Sequence, residues 1–431
     1  MAAAAEPLSI AVVGGGIAGL TLTIAMLRKC PHIHVTLYES AKTFGEIGAG
    51  VGFEPVMVRT MGLIDPRIAA AFDKCSKGNT ATEPPRWFTV RVGDERKKDV
   101  TSGEEVFVMP ARTGPRGGVH RAHFLDELVK LLPEGIAQFR KRLQNITEAE
   151  DDSGKVILHF TDGSKALHDA VLGCDGIKSR TRSILLGDSM ASKAVFSGKY
   201  AYRGLMPMDK AINIMGEGTP ETPQLYMGYR GHVLTFPIAN GTLFNVVAFS
   251  SRPTWDQPEW VVQTSREDML NDYKHWDPAV RTIIENLQKP DIWALFDHPP
   301  APTYYSTKPL LCLVGDAAHA STPHQGAGAG MGIEDVYILS ELLSQCNTKS
   351  DIEKAFHAYD AVRRPRSQKL VKTSREAGML WELEGEGVGD DLEALKQNAL
   401  TRMSWIWDHD ITEDLTRATR LMGNGVSAAI P

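Results

Sequence analysis

The chain has 431 residues, 42 % hydrophobic and 23 % charged, with a net charge of −6. That length supports about two or three structural units, the composition excludes a largely disordered chain, and an acidic balance without a long basic run argues against nucleic acid as the main partner. Five scattered cysteines (Cys30, Cys75, Cys174, Cys312, Cys346) form no Cys-x-x-Cys pair, which speaks against a disulfide framework or a bound metal and for a reducing, cytoplasmic setting. No basic segment precedes the first apolar run, so no signal peptide is expected, and no apolar stretch approaches the roughly 18 residues of a membrane span.

In chain order, Leu8 to Val13 reads as a buried strand, followed by Gly14, Gly16 and Gly19 and an Ala/Leu-rich helix from Ile17 to about Arg28. Ile33 to Tyr38 reads as a second strand with Glu39 at its end. Strand, glycine turn, helix, strand and acid form a dinucleotide-binding fingerprint, without a choice between FAD and NAD. Gly14 permits the tight turn, Gly16 lets a pyrophosphate approach the backbone, Gly19 lets helix and sheet pack closely, and Glu39 has the offset to reach a ribose hydroxyl. The helix N-terminus supplies N–H groups and partial positive charge for phosphates.

Gly45 to Gly52 is too glycine-dense for a regular element; it reads either as a surface loop or as backbone lying against a flat ligand. Trp87 to Val92 alternates as a strand, Ala111 to Gly118 is a Pro/Gly/Arg-rich loop, and Arg121 opens a helix where it either holds an anion or is solvated. Val156 to Phe160 with the turn 161–164 reads as a hairpin. Ala170 to Cys174 is a buried strand running into Asp175-Gly176 and a short helix carrying Ser179 and Arg182. From Val195 to Pro299, recurring apolar runs predict an antiparallel sheet, with Ser265 to Leu287 helical. Leu310 to Val314 returns to the first unit as a strand ending in Gly315-Asp316. His324 to Gly332 opens a helix and offers a second backbone anion site. Ala355 to Arg364 reads as a helix ending in Arg363-Arg364-Pro365-Arg366, and the remainder is mostly helical with a break at 384–391.

Three motifs in this order, Gly14-x-Gly16-x-x-Gly19 with Glu39, Asp175-Gly176-x-x-Ser179-x-x-Arg182 and Gly315-Asp316-Ala317-Ala318-His319, resemble those of the class A flavoprotein aromatic monooxygenases. That is the para-hydroxybenzoate hydroxylase-like group. Val119 to Leu125, Ala201-Tyr202-Arg203-Gly204, Pro323 to Gly328 and Tyr359 to Arg366 resemble its salicylate hydroxylases and fungal phenol hydroxylases. Phe53-Glu54-Pro55 departs from the small residue and Pro-Asn common in relatives, which bears on flavin access. Tyr304-Tyr305 stands where relatives often carry a Trp.

The resemblance implies an α/β chain: a Rossmann-like FAD-binding domain (1–190, with inserted strands near 85–110), an antiparallel-sheet substrate domain (191–300), a return to the FAD domain (301–365) and C-terminal helices (366–431). It implies tightly bound FAD, with Gly14, Gly16, Gly19, Glu39, Gly52, Arg121, Asp175, Asp316, Gly328 and Ala329 near it. NADH or NADPH would be a transient co-substrate, O2 the oxidant and a phenol the substrate, hydroxylated through a C4a-hydroperoxyflavin. The chain would act as a monomer or homodimer.

Arg203, in a strand otherwise rich in Tyr and apolar residues, is the first candidate for holding a substrate phenolate or carboxylate, against a structural ion pair with a nearby acid. His232 is a candidate base or hydrogen-bond partner, against a satisfied edge-strand histidine. His324 sits beside the flavin loop, and Phe236 would wall the cavity. His319 reads as structural beside Asp316, and Trp87 as sheet core. Two alternatives stay open: dearomatisation of a resorcinol-type polyketide, and a non-oxygenating flavin cyclase or reductase.

Overall fold

The computed structural model describes residues 6–45, 50–76, 85–114, 116–151, 153–287 and 291–424. The expected βαβ opening forms: the strand Leu8–Val13, the helix Ile17–Lys29 and the strand Ile33–Tyr38. Leu8–Val13 lies between Ile33–Tyr38 and Ala170–Gly173, parallel to both, and Leu310–Leu313 extends the same sheet. Ile10 and Val12 face a core shared with the first helix and the helix Gly328–Leu343. Ala11 and Val13 face the opposite way, onto the small sheet formed by Leu143–Glu148, Val156–Phe160 and Lys165–His168. This period-2 division is what a strand buried on both faces requires.

The second sheet has eight strands. In spatial order these are Val261–Gln263, Asp291–Asp297, Val195–Pro207, Leu243–Ser251, Gly231–Ile238, Gln224–Gly228, Arg86–Val92 and Glu105–Pro110. All its pairings are antiparallel except that of Gln224–Gly228 with Arg86–Val92. The strands inserted near 85–110 therefore complete this eight-stranded sheet rather than the sheet of the βαβ opening.

Three local expectations change. The glycine-dense stretch does hold a regular element: Gly50–Phe53 pairs antiparallel with Gly117–His120. Glycine removes side chains but not ladder donors and acceptors. Residues 46–49 of that stretch lie outside the described residues. Ser265 to Leu287 is two helices, Arg266–Asp272 and Pro278–Glu285, because Asp277 caps a new start by accepting from the N–H groups of Ala279 and Val280 (2.9 and 3.4 Å). Finally, no helix ends at Arg363-Arg364-Pro365-Arg366. One helix runs from Lys349 to Trp381 with Pro365 inside it.

Tertiary anchoring on both sides of Pro365 overrides the local proline penalty. Arg363 is fully buried and meets Glu334 at 2.8 Å, Asp335 at 2.9 Å and Asp414 at 3.5 Å. Arg366 grips both oxygens of Glu334 at 2.8 Å. Among the described residues no helix is long and apolar enough to cross a membrane.

Three buried histidines predict how the fold responds to acid. His168 bridges Ser9 Oγ (2.7 Å) and Tyr38 Oη (2.8 Å), and burial pulls its pKa down to about 4. Burial first, then the Arg182 charge beside His298 and coupling to the His232 ring beside His324, pulls these two down to about 3. An unfolded histidine takes its proton near pH 6.5, whereas these folded ones do not, so the unfolded state binds more protons between roughly pH 6.5 and 4. Their contribution is complete above that window and is lost through it, at roughly 1.4 kcal/mol per pH unit for each histidine. Glu54, whose buried carboxyl is pushed up to about 7, opposes this with a single group. Thermal unfolding across a pH series should show a flat Tm above pH 7 and a steep fall from 6 to 4.

Candidate active site

Gly14 turns the chain at φ +105°, donates its N–H to Tyr38 O (2.8 Å) and abuts the Cys174 carbonyl so closely that no side chain fits. A Cβ at Gly19 would strike the Gly14 carbonyl, so this residue sets the approach of helix to turn. Gly16 differs: a Cβ there would meet nothing within 4 Å, and the helix it opens has no side-chain cap. An open backbone at an uncapped helix start fits a pyrophosphate. The Gly16→Val variant should therefore keep the fold, since its side chain enters free space, but lose cofactor affinity by about tenfold or more. Tm compared with bound-flavin absorbance would separate the two effects.

Glu39 accepts from the N–H of Gly15 (2.7 Å) and of Ala41 (2.6 Å), which places its carboxylate against the glycine turn. The exposed Asp316 starts the short helix Asp316–His319. The helix Gly328–Leu343 begins without a side-chain cap, leaving the Gly328 and Ala329 N–H groups for a ligand. Gly52 is exposed with open space where a Cβ would stand. These donors and clearances suit an extended dinucleotide reaching from the Gly14 turn to the Gly328 helix.

Asp175 and Arg182 hold the polypeptide itself. The Asp175 carboxylate accepts from Ser179 Oγ (2.6 Å), Thr181 Oγ1 (2.5 Å) and the N–H groups of Arg180 and Thr181 (2.7 and 2.9 Å). Arg182 is fully buried and donates to the carbonyls of Ala191, Ala317, Ala318 and Pro299. Arg182 thereby ties the second motif to the third. His319 is structural as expected, but its partner is Asp335 (Nε2 to Oδ2, 2.5 Å) rather than Asp316. Asp335 also accepts from Gly315 N–H at 3.1 Å, and so fixes the turn that presents Asp316. Trp87 is half-buried at the edge of the main core, packed against Phe88 and edge-on to Trp407, and it lies near Gly326.

The eight-stranded sheet has two unlike faces. Tyr200, Tyr202, Met206, Val233, Val246 and Ala248 point toward the helices at 208–215 and 266–285 and form a closed core with them. The alternate residues point the other way in register: Ala201, Phe249 and His232 in one row, Arg203, Val247 and Leu234 in the next, Leu205, Asn245 and Phe236 in the third. Phe236 lies over Gly50 and Gly118 of the two-stranded ribbon, where a Cβ would collide with its ring. This face therefore turns toward the dinucleotide unit.

Polar atoms on this face and on the loop opposite lack partners. Arg203 Nε and Asn245 Nδ2 are enclosed without a hydrogen-bond partner, and so is His324 Nδ1. The Arg203 guanidinium lies over the Trp293 ring at 5.3 Å and enters none of the ion pairs among the described residues. Burial first, then the neighbouring Arg121 charge, lowers its pKa from the ordinary guanidinium value. His324 packs its Cδ2–Nε2 edge against Gly378 of the long helix. His232 stacks on Phe249 (4.2 Å between centroids, 14°), lies 5.2 Å from the His324 ring, and places Nδ1 3.2 Å from Glu382 Oε1. Glu382, Lys199 and Asn245 were not singled out from the sequence. Alternation along Leu243–Ser251 was the available signal for Asn245; Glu382 lay hidden at the edge of an acidic stretch.

Residues 303–374 match a family model described as an FAD binding domain. Over 428 residues the chain is 42 % identical to an FAD-dependent monooxygenase of Aspergillus niger, covering 94 % of this chain and 95 % of that protein. It is 40 % identical over 434 residues to a salicylate hydroxylase of Pseudomonas putida, with 96 % of each covered. The chain belongs to the FAD-dependent aromatic monooxygenases. A solved salicylate hydroxylase in complex with substrate superposes on this monooxygenase with a TM-score of 0.84 at 35 % identity, covering 99 % of this chain and all of that one. The monooxygenase thus combines the FAD-binding architecture with a largely apolar sheet face, turned toward the dinucleotide unit, that carries the unpartnered Arg203 Nε and Asn245 Nδ2.

Proposed function

We propose that this monooxygenase hydroxylates a phenol that carries an adjacent anionic group, a salicylate-like aromatic acid, and that Arg203 holds the anion. The observation that carries this reading is the enclosed Arg203 Nε, without a partner, on the sheet face that turns toward the dinucleotide unit. A guanidinium whose Nε is enclosed without a partner is costly, and a substrate carboxylate meets it with charge-assisted, planar hydrogen bonds. Arg121, close enough for its charge to be felt at Arg203, adds to the positive field. Phe236, Val247 and Leu234 supply apolar wall on the same face. Asn245 Nδ2 and His324 Nδ1 offer polar contacts to ring substituents.

The Gly14–Gly19 turn, Glu39, Asp316 and the Gly328 helix start would hold FAD, which when bound would take hydride from NAD(P)H and activate O2. The protein excludes water, orients the ring and favours the phenolate, the more nucleophilic form. The test follows NADH and NADPH oxidation by the purified flavoprotein with salicylate, an orsellinic-type acid and a resorcylaldehyde, while hydrogen peroxide is assayed. The expected result is acceleration by the acids, with oxygen inserted and little peroxide. Acceleration by the aldehyde alone would replace the carboxylate reading by dearomatising phenol chemistry. Peroxide without an oxygenated product would make these phenols effectors rather than substrates.

A further inference from the structure

Two histidines stand at the proposed substrate face, and only one of them has a carboxylate behind it. Glu382 caps the C-terminal end of the helix Lys349–Trp381 and is fully buried. Its Oε1 faces His232 Nδ1 at 3.2 Å. Its Oε2 receives Lys199 Nζ and, at 3.1 Å, Ser251 Oγ. Lys199 also reaches Glu384 (3.1 Å), whose side chain is about one-third exposed, and Ser251 Oγ (2.9 Å). The His232 hydrogen bond first, with the Lys199 charge behind it, holds the Glu382 carboxyl well below the usual carboxylate range despite burial, so it is ionised.

An ionised carboxylate only accepts hydrogen bonds. Nδ1 of His232 must therefore carry the ring proton, and Nε2 on the other edge keeps a lone pair. The ring plane is fixed by its stack on Phe249. Burial holds His232 below the ordinary histidine pKa, so the imidazole is neutral at neutral pH. The charged and titratable groups around it are Glu382 at the helix end, Lys199 on the strand Val195–Pro207 of the same sheet and His324 on the loop.

We propose that Glu382 is a positioning residue that locks His232 as the Nδ1–H tautomer and so makes it, rather than His324, the base that removes the phenol proton. The inference rests on the phenol-hydroxylase reading above. In the step, the substrate O–H bond breaks and an Nε2–H bond forms, leaving phenolate and imidazolium; the Glu382 carboxylate offsets the imidazolium charge, as in other carboxylate–histidine pairs. No electrons are transferred in this step.

The test uses the FAD-loaded enzyme. Ionisation of bound 5-nitrosalicylate is followed by its phenolate absorbance, and salicylate turnover is followed from pH 6 to 9, in wild type and in E382Q, E382D and H232Q. In E382Q the amide can donate to Nδ1 and force the opposite tautomer. Expected are a fall in kcat of about 100-fold near pH 6.5, recovery to within about threefold near pH 9 where hydroxide can substitute for the base, KM within about threefold, and partial rescue in E382D. The H232Q variant should show the same pH-dependent loss, and the double variant should be no worse than either single one. A pH-independent loss, or nitrosalicylate ionisation unchanged in both E382Q and H232Q, overturns the proposal. If E382Q fails to load FAD, H232Q, which keeps the Glu382–Lys199 pair, decides alone. If wild type neither binds the nitrophenol nor turns over any phenol, the phenol reading itself falls, and the dyad with it.

Discussion

Replacing Arg203 by Met is expected to lower kcat/KM for an aromatic acid by about 10²- to 10³-fold, while costing less than about tenfold for the same phenol without its carboxylate. The magnitude follows from truncating one member of a desolvated, hydrogen-bonded charge pair, about 3–4 kcal/mol. Met keeps much of the side-chain volume and the packing on Trp293, over which the guanidinium now lies at 5.3 Å. Steady-state kinetics on matched substrates with and without the carboxylate provide the measurement. An equal loss on both would mean that Arg203 acts on the phenolate oxygen they share. Unlike most buried-charge substitutions, R203M should raise the Tm of the substrate-free protein, because it removes an enclosed charged donor that has no partner there.

The second large effect is expected from Arg363→Met, which should destabilise the fold by about 3–5 kcal/mol. Arg363 is fully buried, and its removal takes from Asp335 its one guanidinium partner in the interior, whereas Asp414 keeps His409 and Arg417. Glu334 retains Arg366, and Asp335 retains His319, so the network is weakened rather than abolished. Because Asp335 also receives the Gly315 N–H, the loss should reach the cofactor turn as weaker flavin retention. Denaturant unfolding of the holoprotein, together with flavin release on dilution, measures both. Loss of stability with unchanged flavin retention would show that the turn is held independently of the network.

The contrast between these arginines shows what a sequence conveys. Arg203 stood out because a guanidinium is conspicuous in an apolar strand, and register then placed it on the open face. The βαβ opening was legible for a similar reason: strand, glycine spacing, helix and acid lie within some thirty residues, so local geometry alone orders them. Arg363 was visible only as a member of a basic cluster beside a proline, the signature of a helix end. Its partners Glu334, Asp335 and Asp414 are distant in sequence, and they decide that the helix continues. Glu382 was obscure for the same reason, since its relation to His232 spans 150 residues. Asp175 and Glu39 were legible as motif acids, yet their carboxylates also brace their own loops, which spacing alone does not reveal.

The helix Lys349–Trp381, 33 residues long and about 50 Å from end to end at the usual rise per residue, meets the cofactor turn through Arg363 and Asp335 and the substrate face through Gly378 and the Glu382 cap. One rod therefore sets the spacing between the two halves of the reaction. The substrate sheet is not a portable cassette: grafted onto another dinucleotide scaffold without this rod, it would arrive with its arginine but with its histidine unbacked. New substrate preferences are thus cheapest to reach by changing residues along the open rows of the sheet, and dearest by exchanging the sheet itself.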